Sequence, residues 1–135
     1  MLEHKPRTRA KALLTATAVL ELPTGVALLA APSWIAELLL NEALGSAAAV
    51  VVGRVAGAAL IALGLCCSVE TEHPEASGLP IGLLVYNSAV AFLLAHAALI
   101  GRMHGPLLWP AVVVHVLLAI WCAARLLRHP LRASA

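Results

Sequence analysis

The chain has 135 residues, of which 61% are hydrophobic and 12% are charged, and its mean hydropathy is +0.93. Soluble domains carry about 25% charged residues, so this composition predicts an integral membrane protein. The net charge is only +2, and the basic residues are concentrated near the two ends. This distribution argues against nucleic-acid binding and leaves the lipid bilayer as the predicted environment.

The first hydrophobic segment covers about residues 12–31 and follows a short basic tail. A basic start before an apolar run also fits a cleaved signal peptide. Glu21 interrupts this run, however, and the hydrophobicity continues beyond it, so we predict a first membrane-spanning helix. Because proline has no N–H to donate within a helix, we expect this helix to be kinked near Pro23.

Three further apolar segments, each about 20 residues long, predict three more spans, at about 46–69, 80–100 and 106–127. The stretch at about 33–41 is too short to cross a bilayer, and we predict a short interfacial helix there, with Pro32 suited to its first turn. The predicted fold is a single all-α integral membrane domain. It is an antiparallel bundle of four transmembrane helices, with the interfacial helix between spans one and two.

Lysine and arginine are concentrated in the N-terminal tail and the C-terminal segment. On the opposite side of the predicted bundle, the connections carry only Arg102. Because basic loops are retained in the cytoplasm, this asymmetry predicts that both termini are cytoplasmic in an inner membrane. An even number of spans agrees with that orientation.

The second span carries a line of small residues that lets another helix approach closely. Gly53 and Gly57 are one turn apart, and Gly64 follows two turns later. This line can serve a second copy of the chain or a larger membrane complex, or the first helix can use it within the same chain.

Five polar residues within the predicted spans are candidate site residues: Glu21, Arg54, Tyr86, Asn87 and His115. Ionisable residues inside a bilayer cost ~2.5–3.5 kcal/mol on insertion scales and normally face a partner. Counted from the outer helix ends at ~1.5 Å per residue, Glu21, Arg54 and His115 all lie ~12–15 Å deep. We therefore predict that Glu21 and Arg54 neutralise each other beside His115. This group is either a clasp that fixes the helix register or a pocket that binds a ligand or a proton.

His96 and His115 invite a haem interpretation, because two helical histidines can supply axial ligands. The predicted hairpin offsets them by about four residues, or ~6 Å, which disfavours it. Cys66 and Cys67, like His96, are weak candidates for a soft metal, and cysteines in apolar helix ends more often only pack. We expect neither a metal nor a cofactor.

The sequence contains no HExxH or CxxC motif, nucleophile elbow or phosphate-binding loop. It therefore favours a non-enzymatic membrane protein that binds a small or lipophilic ligand, or a helix of a partner subunit. Two alternatives stay open. One is an oligomeric transporter or channel for protons, metal ions or small solutes, and the other is a haem or quinone redox subunit.

The second-span sequence RVAGAALIALGL follows a first helix that contains ELPTG. This pattern resembles the DoxX-like group of small four-helix bacterial membrane proteins. The shared features are the length, the four spans and an arginine followed by alternating glycines and alanines. The resemblance implies the four-helix fold, a bacterial inner (plasma) membrane location and, loosely, a redox or stress-related role. It also implies that Arg54, Gly53, Gly57 and Gly64 form the typical second-helix pattern.

Overall fold

The computed structural model describes residues 4–70 and 78–128, which form five α-helices. In chain order these are α1 (His4–Ala30), α2 (Pro32–Leu40), α3 (Ala47–Glu70), α4 (Leu79–Leu99) and α5 (Leu108–Arg128). Between them, the described residues contain no β-strand. Residues 71–77, between the second and third spans, and the terminal residues that contribute to the charge asymmetry lie outside the described ranges.

Four of these helices are long and apolar enough to cross a membrane. The candidate spans are Ala10–Ala30, Ala47–Glu70, Leu79–Leu99 and Leu108–Arg128. Their ends agree with the predicted spans to within about two residues. The predicted all-α bundle of four spans, with a short helix between the first two, is confirmed. The protein is a small multi-pass membrane protein.

α1 and α3 form an antiparallel hairpin in which the two backbones touch. A Cβ placed on Gly57 would lie 2.7 Å from the carbonyl oxygen of Gly25, and a Cβ on Gly25 would lie 2.7 Å from that of Gly57. Gly64 makes a similarly close contact with α1, and Gly53 packs against Pro32. Helices come this close in a membrane where small residues form the contact. The small-residue line of the second span is therefore used within the chain.

α1 continues through Pro23 as one helix. Because proline has no N–H, the carbonyl of Val19, four residues earlier, has no normal helical donor. Thr24 donates its hydroxyl to the carbonyl oxygen of Leu20 at 2.8 Å, one residue further along. The proline therefore leaves one backbone acceptor open near the middle of α1, without ending the helix.

α2 lies where α1 passes to α3, at what we call the loop end of the bundle. It begins at Pro32 and ends at Leu40. The next residue, Asn41, has a left-handed conformation (φ 60°) and caps the helix by donating its N–H to the carbonyl of Glu37 at 2.8 Å. The carbonyl of Leu38 accepts a hydrogen bond from the N–H of Leu107 at 2.9 Å. α2 thereby connects the first hairpin to the segment that leads into α5.

α4 and α5 form the second hairpin, and packing is densest within each hairpin. A single core nevertheless draws on all four spans: Leu13, Leu14, Ala18, Cys67, Leu83, Leu118 and Cys122. Large apolar side chains on the outer faces, such as Val52 and Phe92, remain exposed. These faces suit contact with lipid tails, which are as apolar as the side chains themselves.

Candidate functional site

The candidate site is a polar group where the two hairpins meet. It consists of Glu21, Tyr86, Asn87 and His115, which we call the central cluster. Glu21 comes from α1, Tyr86 and Asn87 from α4, and His115 from α5. Glu21 is only 2% exposed, and Asn87 is completely buried. Since all four residues lie well inside their candidate spans, the central cluster lies within the membrane.

Tyr86 connects the two ionisable members of the central cluster. Its hydroxyl donates a hydrogen bond to Oε2 of Glu21 at 3.1 Å. Its ring meets the imidazole of His115 in a T-shaped arrangement, with the ring centroids 5.7 Å apart and the planes at 81°. Aromatic pairs in this geometry gain ~0.5–1.5 kcal/mol beyond the area that they bury. Tyr86 of α4 thus contacts both α1 and α5 and fixes their relative positions.

Asn87 determines which nitrogen of His115 carries the proton. The side-chain amide of Asn87 donates from Nδ2 to the carbonyl oxygen of Leu83 at 2.7 Å. Its Oδ1 therefore faces Nδ1 of His115, at 2.8 Å, and must accept the hydrogen bond. A neutral His115 then carries its proton on Nδ1, and its Nε2 is left as an acceptor. The central cluster thus presents an imidazole acceptor as well as a carboxyl group.

The second carboxyl oxygen of Glu21 is the least satisfied atom of the central cluster. Oε1 is buried and has no hydrogen-bond partner among the described residues. Most buried polar atoms in folded proteins have a partner, and a bilayer offers no water in compensation. An ionised carboxylate buried without a cation costs even more than a neutral polar group. The central cluster can therefore accept an additional donor or cation at Oε1.

The predicted ion pair between Glu21 and Arg54 is not formed, so the prediction is wrong. Arg54 is exposed on the outside of α3, whereas Glu21 is buried and bonded to Tyr86. Arg54 therefore takes no part in the central cluster. The other four predicted site residues are brought together, but in pairs that the sequence had not indicated.

The register of the first hairpin explains this error. Gly53 packs against Pro32, the first residue of α2, so Arg54 is level with the loop end of α1. Glu21 precedes Pro32 by eleven residues, which is ~16 Å along a helix. Equal depths of Glu21 and Arg54 would require α1 and α3 to reach the loop end at the same level. In the structure the first turns of α3 extend past the end of α1.

The two histidines of the haem interpretation lie far apart. His96 is exposed, with its ring centroid 6.2 Å from that of Phe92. His115 pairs with Asn87, which precedes His96 on α4 by nine residues, or ~13 Å. This offset exceeds the ~6 Å expected from the sequence. The two imidazoles do not converge on one point, so their geometry does not fit a haem held by both.

Cys67 and Cys122 belong to the same core but Cys66 does not, so the three thiols do not converge on one site. Cys66 is exposed, Cys67 and Cys122 are buried, and all three thiols are free. Successive helix residues point ~100° apart, so Cys66 and Cys67 face different surroundings. Over residues 4–70 and 78–128, no group of three or more His, Cys, Asp or Glu is arranged to hold a metal ion.

No protein-family model matches the chain, and neither the curated proteins nor the solved structures include a match to it.

One buried polar residue, Thr17, was not among the predicted site residues. It is completely buried, and its hydroxyl donates to the carbonyl oxygen of Leu13 at 3.1 Å. Thr17 precedes Glu21 by four residues, and this spacing puts both on one face of α1. That spacing could have revealed a polar stripe. The bond between Tyr86 and Glu21 had no comparable signal, because it depends on how the hairpins meet.

Proposed function

We propose that this is a small, non-enzymatic inner-membrane protein that binds a lipophilic ligand through a hydroxyl or ammonium group at the central cluster. The observation that carries the proposal is the buried Oε1 of Glu21, which lacks a partner within the described ranges. A ligand that donates a hydrogen bond to this oxygen would remove the cost of leaving it unsatisfied. Both a hydroxyl and an ammonium group can do so.

The negative charge that Glu21 carries when it is ionised narrows the class of ligand. Arg54 lies outside the central cluster, so an anionic ligand would meet the carboxyl group of Glu21 without a neutralising arginine. A neutral or cationic head group avoids that repulsion. Oε1 accepts from it, and the imidazole of His115 offers a second acceptor close by.

The position of the central cluster favours a ligand that arrives through the bilayer. The hairpins are each tightly packed, and the central cluster lies where they meet. Tyr86 is half-buried whereas the other three members are buried, so the central cluster reaches the outside of the bundle at Tyr86. A molecule with an apolar body can enter from the lipid and place its donor group against Glu21.

A set of probes with one chain length tests this proposal. Dodecanol and dodecylamine supply a hydroxyl and an ammonium group, and dodecanoate supplies an anionic control. We expect the two donors to raise the thermal stability of the wild-type protein, because a ligand at a hundred times its Kd adds about 2.7 kcal/mol. Dodecanoate should add less.

Variants then locate the binding. Glu21→Leu should remove the stabilisation by both donors, and Arg54→Gln is the matched control that should keep it, since Arg54 is outside the central cluster. Equal stabilisation of wild-type protein and Glu21→Leu would contradict the proposal. So would a wild-type protein that responds only to dodecanoate.

Proton transfer is a second candidate function, because the central cluster holds two titratable side chains within the membrane, Glu21 and His115. In a transporter such residues form proton relays. Reconstitution into liposomes that contain a pH-sensitive dye distinguishes the two functions. Transport predicts a proton flux that Glu21→Gln abolishes while the helical circular dichroism is retained. A binding protein predicts no flux above that of empty liposomes.

The orientation and the family resemblance belong to the same proposal. We place both termini in the cytoplasm of a bacterial cell, on the evidence of the lysine and arginine distribution. The pattern RVAGAALIALGL and the four spans support membership of the DoxX-like group. The ligand class follows from Glu21 and its surroundings.

A further inference from the structure

A groove lies on the outside of the first hairpin, away from the central cluster. It has a volume of about 450 Å³, within the range of about 300–1,000 Å³ typical of small-molecule sites. Five residues of α1 and one of α3 line it: Thr15, Ala18, Val19, Leu22, Pro23 and Ser68. Val19 is 68% exposed and Pro23 is also exposed, so the groove opens towards lipid.

The walls of the groove are mainly apolar, with polar groups on α1. The hydroxyl of Thr15 makes no hydrogen bond to any described residue and is exposed. The carbonyl of Val19 lacks its helical donor because the residue four positions later is Pro23. The groove therefore offers a long apolar surface with a hydroxyl nearest the N-terminal end of α1.

Lys11 lies just beyond that hydroxyl. It precedes Thr15 by four residues and is exposed, so it lies on the same face of α1. The candidate span begins at Ala10, which puts Lys11 at the membrane boundary. Lys11 forms no ion pair with a described acidic residue. Its ammonium group is thus available at the mouth of the groove.

Glu70, at the end of α3, does not neutralise the positive charge of Lys11. Glu70 follows Ser68 by two residues, which turns it about 200° away around the helix. The face of α3 that borders the groove therefore presents Ser68, and the carboxyl group points elsewhere. From the membrane boundary inward, α1 thus presents the ammonium group of Lys11, then the hydroxyl of Thr15, and then the apolar groove.

We propose that this groove binds an anionic phospholipid of the leaflet on the side of the termini. Lys11 contacts the phosphate, Thr15 donates to a phosphate or ester oxygen, and an acyl chain occupies the groove past Val19 as far as Pro23. From Lys11 to Pro23 is twelve residues, or ~18 Å, which brings the acyl chain to about the middle of a bilayer with ~30 Å of hydrocarbon. Lysine suits a phosphate as a compact point charge.

Lipid titration of the full-length protein, followed by native mass spectrometry, tests this proposal. The probes are phosphatidylglycerol and phosphatidylcholine with identical acyl chains. We expect the wild-type protein to bind phosphatidylglycerol more tightly. Lys11→Gln should weaken that binding about fivefold, as expected for one basic residue near an anionic surface.

Two further variants separate the groove from general surface charge. Val19→Trp fills the groove from an exposed position and should abolish tight binding without disturbing the core. Arg128→Gln removes a positive charge from the exposed end of α5, at the same end of the bundle, and should change the affinity little.

Three results would overturn the proposal. Equal losses in Lys11→Gln and Arg128→Gln would mean that the lipid responds only to net charge. Unchanged binding in Val19→Trp would show that the groove is empty. Equal affinity for both lipids would rule out the anionic head group. Because Glu21 is on a different face of α1, none of these results bears on the central cluster.

Discussion

Replacing Gly57 with alanine is expected to push α1 and α3 apart. The new Cβ would lie 2.7 Å from the carbonyl oxygen of Gly25 and 2.8 Å from the backbone nitrogen of Leu29. Ordinary van der Waals contact begins at 3.4 Å, so the two helices would have to separate by about 0.7 Å, the difference between these distances. Both obstacles are backbone atoms, and neither can rotate out of the way.

Gly82→Ala is the matched control, because nothing lies within 4 Å of a Cβ at that position of α4. Both substitutions raise helix propensity by up to ~1 kcal/mol, and this gain cancels when they are compared. Overpacking a close contact costs ~1–3 kcal/mol. The free energy of unfolding of Gly57→Ala should therefore be about 1–3 kcal/mol below that of Gly82→Ala. Gly57→Val should lose more than Gly57→Ala.

Unfolding in mixed detergent micelles with increasing dodecyl sulfate, followed by tryptophan fluorescence and far-ultraviolet circular dichroism, measures this difference. Val, Ala and Gly at position 57 should rank in order of increasing stability. If Gly57→Ala and Gly82→Ala unfold within ~0.5 kcal/mol of each other, the scatter usual for surface substitutions, the two helices are not in backbone contact at Gly57. The register of the first hairpin would then also differ from the one described.

Three further unfolding measurements test the central cluster. Tyr86→Phe removes the hydrogen bond to Glu21 and should cost ~0.5–1.5 kcal/mol, or more if the carboxyl group is charged; an unaltered unfolding midpoint would contradict the bond. The variants Glu21→Ala, Arg54→Ala and their double mutant should show additive losses, with a coupling energy within ~0.5 kcal/mol of zero, because the two side chains do not meet. A coupling energy above ~1 kcal/mol would show that Glu21 and Arg54 do form an ion pair. Asn87→Ala leaves Nδ1 of His115 without its acceptor and should cost ~1–3 kcal/mol, whereas Asn87→Asp, which keeps an acceptor, should cost less. For the orientation, a C-terminal green fluorescent protein fusion should fluoresce in bacteria and an alkaline phosphatase fusion should be inactive; the reverse pattern would invert the assignment.

Most of the fold could be predicted from the sequence, because a membrane imposes length and hydropathy on each span. The four spans, and the short helix between the first two, follow from apolar runs separated by proline, glycine and charged residues. These signals are local, so they do not depend on how the helices are arranged. The small-residue pattern of Gly53, Gly57 and Gly64 likewise indicated a close helix contact, although it left the partner helix open.

Such local signals do not predict which residues of the central cluster contact one another. Hydropathy identified Glu21, Asn87 and His115 as costly residues that need partners, but only the tertiary structure decided which partners they have. The relative depth of two helices depends on their register. Because α3 extends past the end of α1, Arg54 lies ~16 Å from the level of Glu21 along the hairpin.

The sequence by itself thus determined that the chain crosses a membrane four times and that a few polar residues must be accommodated inside it. The tertiary structure decided that Tyr86 is the donor to Glu21, that Arg54 faces outward, and that one carboxyl oxygen is left without a partner among the described residues. The physical reason is that hydrophobicity acts on each helix separately, whereas a hydrogen bond requires two atoms within about 3 Å. That distance is set by the packing of the two hairpins.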